Sequence, residues 1–135
     1  MSYRRSARLT GLMLGCVLAP LTWAVSLNHF SVQSKLKRWR LVFGLTQPIR
    51  YHVFSLSNPD RLVLDLYGVK KAIPLSLWEY SKAPIKNVRI ASYQDKMRVV
   101  MDLHTHLQYH ASLLRLKTQS DLILDIAKDK KSLRH

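Results

Sequence analysis

What most constrains the fold of this chain is that its sequence repeats. Shifted by 58 residues, Phe30 falls on Val88, Val32 on Ile90, Ser34 on Ser92, Arg40 on Arg98, Leu45 on Leu103 and Tyr51-His52 on Tyr109-His110. After a slip of two residues, the string Arg61 to Leu66 falls on Asp121 to Ile126. Within each copy, apolar and polar side chains alternate. Leu62, Leu64 and Leu66 share one parity, with Arg61, Val63 and Asp65 on the other, and Val99, Met101 and Leu103 repeat the inward pattern. Alternation of period two marks a half-buried strand. Four strands are expected near 27–33, 38–46, 50–57 and 61–66, and four more near 86–93, 96–104, 108–116 and 121–127. A duplication of this size predicts an all-β fold, a sandwich of two similar four-stranded sheets packed face to face. The halves span 27–66 and 85–127 and are joined by a linker over 67–84. There Pro74 and Pro84 bound Leu75 to Tyr80, a stretch suited to one helical turn or to a strap over the sandwich edge.

The segment before the repeat has a different character. Arg4, Arg5 and Arg8 precede an uncharged run from Leu9 to Ala24 that ends in Thr22-Trp23-Ala24, the layout of an export signal. The run falls short of the roughly 20 apolar residues that a membrane span requires. Residues 1–24 are therefore expected to be a cleaved signal peptide, with no stable membrane span after cleavage and a periplasmic location for the rest. The pair Arg4-Arg5 leaves the twin-arginine route open beside the general one. Cleavage after Ala24 leaves a domain over 25–127 and a basic tail over 128–135. It also removes the single cysteine, Cys16, so the domain must be stable through packing alone.

The chain carries +14, and losing those three arginines and no acid lowers this by three, to +11. The excess is spread along the chain, as on a solvated basic surface that favours polyanions. For an exported protein the candidates are peptidoglycan carboxylates, lipopolysaccharide and anionic lipid, and no nucleic acid.

Ser55-Leu56-Ser57-Asn58-Pro59-Asp60-Arg61-Leu62-Val63-Leu64-Asp65-Leu66 resembles the signature of the AMIN domain. That domain is the non-catalytic N-terminal module of cell-division N-acetylmuramoyl-L-alanine amidases, and it also occurs in some secretins. Pro84 to Arg89, followed by Arg98 to Leu103, is similar to its second conserved stretch. The resemblance implies two symmetric four-stranded sheets with the signature motifs on their outer faces. It also implies peptidoglycan binding and the targeting of a cell-wall hydrolase to the envelope and septum. Two departures stand out. Tyr67 occupies the place where the family commonly has Pro, and the second half ends at Asp125-Ile126-Ala127 without an Asn-Pro turn, so the two faces need not bind equally.

The candidate peptidoglycan contacts are Arg61, Asp65, Arg98, Asp102, Asn58, Tyr51 and Tyr109. Arg61 with Asp65, and Arg98 with Asp102, share the outward parity of their strands, but i and i+4 on a strand lie about 13 Å apart. Each must pair with a neighbouring strand or stay free. They serve either as a platform whose arginines fork onto stem-peptide carboxylates or as ion pairs that hold register. Asn58-Pro59-Asp60 is a turn leading into a strand. Tyr51 and Tyr109 suit either sugar stacking or packing. His104, His106 and His110 share one parity but lack the further ligand and general base of a catalytic zinc site, so they read as solvated histidines. No nucleophile elbow, P-loop or HExxH motif is present. The chain thus reads as a binding module, with no catalytic residues, metal or cofactor. Its expected partners are peptidoglycan and a cell-wall amidase or envelope complex. Two alternatives remain: a truncated or split amidase, and an envelope scaffold domain of a secretin-type machine.

Overall fold

In a computed structural model the described residues are 25–70 and 74–128. Residues 1–24, on which the expected signal peptide falls, residues 71–73 of the linker and those from 129 onward lie outside them. The strands are β1 (Leu27–Lys35), β2 (Arg38–Leu45), β3 (Tyr51–Leu56), β4 (Arg61–Tyr67), β5 (Ile85–Ser92), β6 (Lys96–Leu103), β7 (Leu107–Arg115) and β8 (Ser120–Lys128). Their inward residues form a single core. Leu27, Leu41, Phe43 and Leu45 come from the first hairpin, Leu62, Leu64 and Leu66 from β4, Val99 and Met101 from β6, and Leu122, Leu124 and Ile126 from β8. Each side chain of this kind stabilises the fold by about 1.5–3 kcal/mol when fully buried. Among the described residues, eight strands in two antiparallel four-stranded sheets, with almost no helix, are the all-β sandwich expected from the repeat.

The connectivity adds what the repeat alone does not specify. One sheet, here sheet 1, has the order β1-β2-β8-β7, and sheet 2 has β3-β4-β6-β5. Each sheet therefore joins one hairpin from each half. The central pairings are β2 with β8, Leu41 facing Leu124, and β4 with β6, Leu64 facing Val99. Exchanging the two halves converts one strand order into the other, so the sandwich has an internal two-fold axis. Antiparallel hairpins close through short turns, whereas the two central pairings span the chain.

A short helix, α1 (Leu75–Trp78), packs on β1 and β5, the adjacent edge strands of the two sheets. Buried Leu77 anchors it, and Ser76 Oγ donates to the Phe30 carbonyl at 3.4 Å. The linker is thus both a helical turn and an edge strap. At the opposite edge the Tyr109 hydroxyl donates to the Val53 carbonyl, 3.3 Å away, tying β7 to β3. Gly44 lies beside the β1 bulge, where an added Cβ would come within 2.8 Å of the His29 Cβ.

Candidate functional site

Strands β4 and β6, one from each half, lie side by side at the centre of sheet 2, which brings the two motif stretches onto one outer face. In register, Arg61 faces Asp102 and Asp65 faces Arg98. The second of these pairs closes. Arg98 Nε and Nη2 fork onto the Asp65 carboxylate at 2.7 and 2.9 Å, and Lys96 Nζ adds a third bond at 3.1 Å. Bidentate charged bonds of this kind are among the strongest in proteins. Asp65 itself is only 1% exposed. The Arg98 hydrogen bonds outweigh burial and hold its carboxyl below the ordinary carboxylate range, with Lys96 contributing in the same direction.

Arg61 does not pair with Asp102 across the sheet. Its guanidinium turns back on its own loop, donating from Nε to the Pro59 carbonyl at 3.0 Å and from Nη2 to the Ser57 carbonyl at 3.5 Å. Asp102 is held instead by Arg89 of β5, at 2.9 and 2.8 Å. The turn over residues 57–60 leads directly into β4, with exposed Asn58 in the left-handed region at φ 58° and a cis bond to Pro59. Asn is among the residues that tolerate that conformation. Tyr51 and Tyr109 have inward parity: Tyr51 packs against the core, and Tyr109 forms the edge bond to Val53. His104 and His106 sit in the β6–β7 turn rather than on a strand with His110, and His106 Nδ1 lies 3.9 Å from Asp60. Among the described residues no three His, Cys, Asp or Glu side chains converge on a point.

Several residues around this centre were not singled out from sequence. At one end of sheet 2, cations and rings alternate. Arg50 lies over Tyr67 at 4.6 Å, and Lys96 stands 5.6 Å from Tyr67 and 5.7 Å from Tyr93. Arg98 lies 5.7 Å from Tyr93 and 5.6 Å from Phe54. Each contact is worth about 0.5–1 kcal/mol at exposed sites. Together these rings line the two cations, Lys96 and Arg98, that hold Asp65. Strand parity assigns Phe54 and Tyr67 to the outer face, but which rings meet which cations depends on cross-strand register.

The internal two-fold axis places a second copy of the ion pair on sheet 1. Arg40 of β2 takes the place of Arg98, and Asp125 of β8 that of Asp65. Arg40 Nε and Nη2 donate to the carboxylate at 2.8 and 3.1 Å, raising the Arg40 pKa and lowering that of Asp125.

The family model for the AMIN domain matches residues 30–126, nearly the whole repeat. The chain belongs to the AMIN domain family. A search of curated proteins returns no match. The AMIN domain is a non-catalytic, peptidoglycan-associated targeting module that occurs in periplasmic proteins. Among the described residues of this AMIN chain, no helix is long and apolar enough to cross a membrane.

Proposed function

We propose that this AMIN domain binds peptidoglycan and thereby localises to the bacterial envelope and septum, or brings a cell-wall hydrolase there, without catalysing hydrolysis itself. The observation that carries this reading is the meeting of the two family motif stretches, one from each half, at the centre of one exposed sheet face. Arg61, Arg98 and Asp102 lie on that face, while Asp65 acts beneath it by fixing the Arg98 fork. The net positive charge suits a wall rich in stem-peptide carboxylates.

Insoluble sacculi should retain the full chain at low salt and release it progressively as salt screens exposed charge beyond about 8 Å. Arg61→Gln should weaken retention well beyond Lys130→Gln, although each removes one charge. Equal losses would reduce the interaction to diffuse electrostatics, and no retention at low salt would refute the proposal.

A further inference from the structure

The duplication supplies an internal comparison, because the same sheet positions occur twice with different side chains. On sheet 2 the ion pair is closed: Arg98 and Asp65 side chains are 31% and 2% exposed. On sheet 1 the matching Arg40 and Asp125 are 53% and 39% exposed. The cause lies in the flanking rings. Under the two-fold exchange Tyr67 becomes Ala127, Tyr93 becomes Lys35, Phe54 becomes Ser112 and Lys96 becomes Arg38. Both tyrosines that flank Lys96 and Arg98 beside Asp65 are therefore missing beside Arg38 and Arg40.

In the space they would fill, a cleft of about 790 Å³ crosses all four strands of sheet 1 at the β1–β2 turn. All of its lining residues belong to sheet 1 or that turn, and the charged ones, Lys35, Arg38, Arg40 and Asp125, share the outward parity of the sheet. Lys35, Arg38 and Arg40 supply positive charge, and Gln33, Gln108 and His110 supply hydrogen-bonding groups. Asp125 is the one carboxylate in the lining, and Arg40 already neutralises it through Nε and Nη2. The Arg40 Nη1 takes no part in that bond.

We infer that this cleft is a second binding site, distinct from the sheet 2 motif face, which takes a carboxylate-bearing glycopeptide of the wall. Asp125 holds the Arg40 fork in place as Asp65 holds Arg98. Nη1 of Arg40, with Lys35 and Arg38, then meets the ligand carboxylates, while the glutamines meet amide or hydroxyl groups. Sheet 2 presents the closed form of the same construction, and sheet 1 the open form. The inference rests on the peptidoglycan reading above and assigns a site within it.

The test is a titration of the full chain with a soluble disaccharide–tetrapeptide fragment, followed by amide NMR, alongside sacculus retention. Amide shifts at Arg40, His110 and Ala127 are expected. Ala127→Tyr, which restores one of the two tyrosines without changing charge, should weaken fragment binding by about tenfold or more. The double variant Lys35→Gln with Arg38→Gln should do the same, and it covers the case in which Ala127→Tyr fails to fold. Shifts confined to sheet 2, or none at all, would overturn the cleft, as would fragment affinity unchanged in either folded variant. If sacculi still retain the chain in those cases, peptidoglycan binding stands and only the site falls. A wild-type chain that sacculi do not retain removes both.

Discussion

Asp65 and Asp125 occupy equivalent positions of the repeat and are bonded to equivalent arginines, Arg98 and Arg40, yet they are expected to behave differently. Replacing Arg98 by Gln leaves a carboxylate that is 1% exposed with Lys96 as its remaining charged partner. Stripping one partner from a buried pair costs about 3–5 kcal/mol in the fully buried case; because Lys96 remains and Arg98 is partly exposed, about 2–4 kcal/mol is expected for Arg98→Gln. Arg40→Gln, on the open copy, should change stability much less, because water solvates the freed Asp125. Urea melts of the two variants check this contrast. The pH dependence follows from the same bonds. The Asp65 pKa is lowered in the folded state, mainly by the Arg98 hydrogen bonds. Its contribution is present in full above the unfolded carboxylate value of about 3.9 and is lost as pH falls through the lower folded value. Asp65→Asn should therefore flatten the acid side of the stability profile, and an unchanged acid limb would show that other carboxylates carry it. Arg98→Gln is for this reason a poor binding probe unless a melt accompanies it, whereas Arg61, whose guanidinium bonds the turn carbonyls of Ser57 and Pro59, is a cleaner one.

At the level of elements, the strands follow alternation closely, and the turns are where local chemistry is least regular. The β1–β2 connection is a two-residue hairpin turn in which Leu36 and Lys37 both have positive φ, 50° and 63°. Such turns favour Asn-Gly, because ordinary L residues there crowd Cβ against the backbone, at about 1–2 kcal/mol per residue. Leu36→Asn with Lys37→Gly should accordingly raise stability by about 1–2 kcal/mol, with little change elsewhere in the sheet. Thermal melting would register this as a rise of about 4–8 °C per kcal/mol for a domain near this size. No rise, or a fall, would mean that Leu36 and Lys37 make compensating contacts at the rim of the sheet 1 cleft. Strand β4 shows the opposite situation. Val63 and Asp65 have outward parity yet are buried, because side chains of the neighbouring strands close over the middle of sheet 2.

The whole molecule is an exchange of hairpins between its two halves. Cutting within the linker would give two pieces, each holding two hairpins that belong to different sheets. Neither piece can form the β2–β8 or β4–β6 centre, and an isolated two-stranded hairpin is marginal in water. Each piece alone should therefore show a disordered circular dichroism spectrum, and mixing them should restore the strand signal with a concentration-dependent melt. A piece that folds cooperatively alone would contradict the interlocked topology.

Which residues face inward, that the fold is all-β and doubled, and where the motif turn lies are all legible in the sequence. Each of these rests on local or periodic signals: alternation at spacing two, Asn58-Pro59-Asp60 before a strand, and Arg and Asp returning at matching positions in the repeat. It also showed that Arg61, Asp65, Arg98 and Asp102 share outward parity. It did not show that Asp65 is buried in the grip of Lys96 and Arg98, with Tyr67 and Tyr93 beside those cations, or that Arg61 bonds its own turn while Asp102 is taken by Arg89. Nor did it show that each Arg–Asp pair joins opposite halves. These features arise in three dimensions, because cross-strand register brings together residues far apart in the chain, and no local spacing encodes which side chain closes over another. The difference between a buried carboxylate at Asp65 and an open one at Asp125 comes from Tyr67 and Tyr93 on one face and Ala127 and Lys35 on the other, and those residues acquire that meaning only once β4 lies beside β6 and β8 beside β2.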